Sequence, residues 1–235
     1  MAHLLRSATS RGRTRLDWLD SWHSFSFGGY RDRQWQGFRN LLVLNDDVIA
    51  PGRGFGTHPH HDMEILTWML DGTLRHGDSL ANQRDMRPGD LQRMSAGTGI
   101  LHSEVNPSAS EPARLLQIWI LPDREGHAPR YDQIATAVPR DPGRFHLIAH
   151  PDAPAGALSL HADAALRVGR FAAGTAVDQP LDPQRAAWLH VARGRVLVGE
   201  QELGEGDALA VWDAERLPLR MDQASELLLL DLAGR

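Results

Sequence analysis

The chain has no cysteine and no lysine. The first absence excludes disulfides, thiolate-held metals and cysteine nucleophiles. Any metal must then rest on nitrogen and oxygen ligands, which suits iron, manganese, nickel, copper or zinc. The second absence makes arginine the whole of the 25-residue basic complement. These arginines are scattered, without the basic run that marks a nucleic-acid footprint, so no nucleic-acid partner is expected. The N-terminus, Met1-Ala2-His3-Leu4-Leu5-Arg6, lacks an apolar leader, and no stretch approaches about 18 apolar residues. Neither secretion nor a membrane span is therefore expected, and a cytoplasmic location follows by default. Helical periodicity is also scarce; the best candidate is a short run at residues 184–189.

What is present is an ordinary globular composition: 235 residues, 42% hydrophobic and 23% charged, with a formal net charge of -5. That length can bury a sizeable core without staples. Short runs at residues 64–70, 72–76, 85–87, 90–95 and 115–121 are bounded by Gly, Pro, Asn or Asp. Such spacing of turn signals reads as an all-β sandwich or barrel. Leu41-Leu42-Val43-Leu44 suits a buried strand, stopped by an Asn45-Asp46-Asp47 turn. Residues 122–144, with Pro122, Pro129, Pro139 and Pro142, read as the connection between two halves. The second half looks like a worn copy of the first: Leu66–Gly72 resembles Trp188–Gly194, and Met86–Leu91 resembles Leu203–Ala208.

Two segments carry the chemistry. Thr57-His58-Pro59-His60-His61-Asp62-Met63-Glu64 places histidines two apart, and Gly99-Ile100-Leu101-His102-Ser103-Glu104 does the same for a histidine and a glutamate. Residues two apart in a strand share a face. Two such strands side by side would offer His58, His60, His102 and Glu104 to one point. On a five- or six-coordinate metal this leaves open positions, the mark of a catalytic rather than a structural site. Histidine must be neutral to bind, so occupancy should fall below about pH 6.5. Lone histidines such as His23, His127, His146, His150 and His161 read as ordinary hydrogen-bonded imidazoles. Glu64 shares parity with His58 and His60; it is either a fifth ligand or a supporting residue, and the second is preferred because Glu104 already supplies a carboxylate. His61 has the opposite parity and should face outward. Aligning the glycine turns maps His58, His60, His102 and Glu104 onto Pro180, Asp182, Leu219 and Met221, so one metal site, in the N-terminal half, is expected.

Gly52-x5-His58-x-His60-x3-Glu64-x7-Gly72 is close to the first cupin motif. Gly89-x5-Ser95-x-Gly97 followed by His102-x3-Asn106 is similar to the second, with two extra residues before the histidine and Ser95 where proline is usual. More narrowly, the chain resembles the pirin family. The matching strings include His23-Ser24-Phe25-Ser26-Phe27-Gly28, Asn45-Asp46-Asp47, Gly54-Phe55-Gly56-Thr57-His58-Pro59-His60, Met94-Ser95-Ala96-Gly97-Thr98-Gly99-Ile100-Leu101-His102-Ser103-Glu104 and Leu116-Gln117-Ile118-Trp119. Asp62-Met63-Glu64 and Pro129-Arg130-Tyr131 resemble the bacterial pirin-like quercetin 2,3-dioxygenases in particular.

The resemblance implies an all-β bicupin: an N-terminal metal-binding cupin domain over residues 1–135 and a C-terminal cupin domain without metal ligands over 136–235. It implies metal held by His58, His60, His102 and Glu104, with Glu64 off the metal. Fe(II) is the first expectation for the one divalent transition metal, with Ni, Mn, Co, Cu or Zn as alternatives. The implied activity is opening of a quercetin-like flavonol with O2 and release of carbon monoxide. Glu104 would take the flavonol proton, and Phe55, Met94 and Trp119 are candidate pocket walls. Pirin-like proteins also include regulators that bind transcription factors or metabolic enzymes, so a protein partner is the alternative expectation.

Overall fold

The computed structural model describes residues 2–136, 138 and 143–233; Pro139 and Pro142 of the expected connection lie outside them. The expected runs become the strands Glu64–Asp71, Leu74–Asp78, Gln83–Met86, Asp90–Ser95 and Ala113–Ile120. Contacts divide the chain into two units.

The first unit comprises Gly12–Thr136 and Pro151–Asp163. Its larger sheet is antiparallel and runs in the order Arg130–Ala135, Asp90–Ser95, Glu64–Asp71, Ala113–Ile120, Leu41–Ile49, Leu19–His23, Gly12–Arg15. Its smaller sheet runs Gly54–His60, Ile100–Val105, Leu74–Asp78, Gln83–Met86. Met69 and Leu115 of the larger sheet pack with Leu74 and Met86 of the smaller in one buried apolar cluster. Hydrophobic burial between the inner faces thus holds the sandwich closed.

The second unit comprises Met1–Arg11, Ala137–His150 and Ala164–Arg235. Its larger sheet repeats the order, as Ala2–Arg6, Ala208–Trp212, Ala186–Arg193, Ser225–Leu232, Ala164–Phe171, Phe145–His150. The smaller sheet is Ala176–Pro180, Arg216–Met221, Arg195–Val198, Gln201–Gly204. The N-terminal strand stands where Arg130–Ala135 stands in the first unit. Two units with one strand order make the chain a bicupin built on an internal duplication. A single boundary at 135/136 does not describe this partition: residues 1–11 and 151–163 each belong with the other unit.

Four local readings are corrected. Residues 184–189 are not helical; Ala186–Arg193 is a strand buried on both faces and bonded on both edges, and that pairing outweighs a short local preference. Asn45-Asp46-Asp47 is not a turn but the middle of the strand Leu41–Ile49, where Asp46 is paired with Arg114 at 2.9 Å. The proline-rich stretch includes a full strand, Arg130–Ala135, on the edge of the larger sheet. The strand register also revises the copy's alignment. Leu219 faces Val177, and Leu217 faces Gln179, as His102 faces His58 and Ile100 faces His60. The counterparts of His58 and His60 are therefore Val177 and Gln179, not Pro180 and Asp182. The connection after this strand is longer in the second unit, residues 181–185 against 61–63, which shifts an alignment taken from the glycine turns.

Candidate metal centre

His58 and His60 lie on Gly54–His60 and His102 on the adjoining Ile100–Val105, with His58 directly opposite His102 and His60 opposite Ile100. The three rings converge, with centroids 4.4 Å apart for His58 and His102, 4.8 Å for His58 and His60, and 4.9 Å for His60 and His102. One nitrogen of each lies within 4.8 Å of the others. Such closeness between the two strands needs Gly54, where a Cβ would meet the Glu104 carbonyl oxygen at 2.2 Å. His58 Nδ1 donates to the Gly56 carbonyl at 2.7 Å, which leaves Nε2 free toward the centre.

His102 is buried, and neither ring nitrogen has a hydrogen-bond partner. Burial, reinforced by the neighbouring imidazoles, lowers His102 to about 3 and His60 to about 4, so both stay neutral and able to ligate. A buried imidazole without partners, facing two more across a cysteine-free site, fits a divalent metal on nitrogen and oxygen.

Glu104 does not join that trio in the structure. It groups instead with His102 and His76, on the neighbouring strand Leu74–Asp78. Three side chains hold its carboxylate: Gln92 Nε2 at 3.1 Å and Thr67 Oγ1 at 3.3 Å donate to Oε1, and Gln117 Nε2 at 2.9 Å donates to Oε2. These donors belong to one lateral row across the larger sheet, His23–Asn45–Gln117–Thr67–Gln92–Gln133. The row beside it is apolar: Trp119–Ile65–Met94–Tyr131. The polar row is tolerable in the core because its amide and hydroxyl donors are spent on Glu104 and on one another, although the Gln92 and Gln117 Oε1 atoms stay buried without a partner.

Glu64 is not part of this support. Gly54–His60 and Glu64–Asp71 are strands of different sheets, and the chain turns between them with Asp62 at φ 46, so parity does not carry across. Thr67 faces Glu104; Glu64, three residues earlier, faces the opposite side of the sheet. There its Oε2 accepts the His161 backbone N–H at 3.2 Å, and its charge acts on buried Arg93. His61 is exposed, as its parity implied.

Sequence reasoning missed Thr67, Gln92, Gln117, His76 and Asp78. The signal was there for Gln117, which interrupts the apolar run of its strand. His76 is fully buried and stacks on Tyr131 at 4.2 Å. Its Nε2 lies 2.9 Å from Asp78 Oδ2, and its Nδ1 has no partner. Although burial works against it, hydrogen bonds from His76 and Asn82 hold the Asp78 carboxyl below the usual carboxylate range.

A cavity of about 360 Å³ opens beside the histidines, a size suited to a small organic ligand. Phe27, Phe55 and Trp119 supply apolar wall, and Trp119 meets His60 edge-on at 4.9 Å. Met94 does not line this cavity. It is fully buried beneath it, packed with Ile65, Ala96 and Ile100, because its row continues from Trp119 into the core. Another part of the wall is polar, formed by Thr14, Ser21, His23, Asn45 and Asp47. Among the described residues, both groups of three that could hold a metal lie in the first unit.

Comparison with known proteins agrees with this architecture. The family model "Pirin" matches residues 5–120, and the model described as "Quercetinase C-terminal cupin domain" matches 147–232. A protein named quercetin 2,3-dioxygenase from Escherichia coli is 44% identical over 97% of each chain. The crystal structure of the bacterial pirin YhhW from Escherichia coli in complex with nickel(II) superposes with a TM-score of 0.94 at 43% identity, covering 100% of both chains. With that identity along nearly its whole length, a pirin match on the unit that carries the histidines and a cupin match on the other, the chain belongs to the pirin family.

Proposed function

We propose that this chain is a metal-dependent dioxygenase that opens flavonols of the quercetin type with O2. The observation that carries the reading is three convergent imidazoles at the wall of a largely apolar cavity. Support also comes from the name of the Escherichia coli relative. In this reading His58, His60 and His102 hold one divalent metal and Glu104 is the fourth ligand. Fe(II) is the metal this reading assigns; nitrogen and oxygen donors suit it as they suit nickel(II), the ion in the solved relative's complex. The bound metal would supply a Lewis acid and a place for dioxygen beside the substrate.

The chain's own residues do the rest. Phe55 and Trp119 flank the planar rings and exclude water. Gln92, Thr67 and Gln117 fix the Glu104 carboxylate, so it need not reorganise as charge develops. The test is anaerobic loading with Fe(II) or Ni(II), then O2 uptake and carbon monoxide release on quercetin. Turnover is expected from wild type and lost in a His58→Ala/His102→Ala double variant; equal turnover by both would sink the reading.

A further inference from the structure

None of Thr14, Ser21, His23, Asn45 and Asp47 in the polar wall belongs to either group of potential metal ligands. Asp47 lies outside both groups of potential ligands, yet it lines the same cavity as His58, His60, His102 and Glu104. Its carboxyl is buried, with Oδ1 accepting the Ser21 hydroxyl, and no other side-chain hydrogen bond reaches it among the described residues. Among the described residues no salt bridge to it is found: Arg114 is bound to Asp46 on the other face of the strand. A buried carboxyl without a counter-ion holds its charge weakly, and one that lines a cavity is placed to exchange a proton with a ligand there.

We propose that Asp47 is the catalytic residue that takes the substrate's hydroxyl proton, with Ser21 and His23 as its positioning residues. This rests on the dioxygenase reading. In the step, the substrate O–H bond breaks, its electron pair stays on the substrate oxygen, and the proton passes to Asp47 Oδ2, converting carboxylate to carboxylic acid. No oxidant is consumed. Glu104 suits the task less well, because in that reading it is spent on the metal while Gln92, Thr67 and Gln117 hold its carboxylate as the charged form.

The neighbours of Asp47 are organised around it. His23 Nδ1 lies 2.9 Å from Asn45 Oδ1, an acceptor, so the ring proton sits there; Nε2 then accepts from Thr14 Oγ1 at 2.8 Å. Ser21 Oγ, 3.4 Å from the same Nδ1, is thereby left to donate to Asp47. Burial pushes the Asp47 carboxyl up to about 7 against the Ser21 hydrogen bond, and the charges of Asp46 and Glu104 push the same way. A base poised near neutrality is the efficient one for this transfer. The titratable groups around it are His23 on one adjoining strand, Asp46 on its own strand, Arg114 on the other adjoining strand, and His58, His60, His102 and Glu104 across the cavity.

The experiment compares wild type, Asp47→Asn and Ser21→Ala, each loaded with nickel(II), in two measurements. The first is anaerobic titration with quercetin, reading the absorption of the ionised flavonol. The second is kcat/KM against pH. Asp47→Asn should bind nickel as wild type does, bind quercetin without the ionised spectrum, and lose the limb near pH 7 with a rate fall of about 10²–10⁴-fold. Ser21→Ala keeps the carboxyl but removes the bond that favours its charged form, so the limb should move to higher pH. Retention of the ionised spectrum and pH limb in Asp47→Asn overturns the proposal. An unmoved limb in Ser21→Ala does the same, and decides the matter if Asp47→Asn does not fold. A wild type that neither binds nor turns over any flavonol defeats the dioxygenase reading itself.

Discussion

Gln117 shows how much of the site depends on residues that touch neither metal nor substrate by motif. Its Nε2 holds Glu104 Oε2, while its Oε1 is buried without a partner. Gln117→Leu keeps the volume and removes the donor. Nickel(II) affinity by calorimetry should fall about 10–100-fold, the usual effect of losing a group that orients a ligand. An unchanged affinity would mean that Glu104 is held well enough by Gln92 and Thr67. The sequence made His58, His60, His102 and Glu104 legible as candidate ligands because strand spacing is local. It could not make Gln117 legible as a partner of Glu104, because that contact crosses from one sheet to the other.

At the scale of elements, the site exists because Gly54–His60 and Ile100–Val105 approach closely. Gly54→Ala would drive a Cβ into the Glu104 carbonyl, and backbone cannot yield cheaply. The expected result is a loss of about 1–3 kcal/mol in urea unfolding with weakened metal binding. Gly56→Ala on the same strand is the control, since nothing lies within 4 Å of its Cβ; it should be close to neutral. Equal effects at both glycines would reject the steric account. Most strands were legible from alternation and turn residues. The exceptions are instructive: Asn45, Asp46 and Asp47 looked like a turn because the side chains that satisfy them, His23, Ser21 and Arg114, come from other strands.

For the whole molecule, buried titratable groups tie stability to pH. In the folded, metal-free protein His60 and His102 sit at about 4 and about 3 against 6.5 for the ordinary group. The unfolded chain therefore takes up protons first on acidification, and their contribution to stability is lost as pH falls from about 6.5 toward 3. Asp47 acts in the opposite sense: raised from 3.8 to about 7, it contributes stability at low pH that is lost as pH rises through that window. Urea midpoints of the metal-free wild type should fall on acidification below about pH 6.5, and fall more steeply in Asp47→Asn, where the opposing group is gone. A flat profile in both would show that these imidazoles reach solvent before the chain unfolds.

By itself the sequence determined the all-β class, the repeated unit, the cysteine-free donor chemistry and the three histidines that converge, because each is written in spacing along one strand or in composition. It misplaced Glu64, since parity is a property of one continuous strand and the chain turns at Asp62. Only the tertiary structure decided what surrounds the ligands: the polar row that grips Glu104, the Asp78–His76 pair behind His102, and the carboxyl of Asp47 in the cavity wall. Those relations arise from register between strands distant in sequence, and register is set by the packing of two sheets rather than by any one segment.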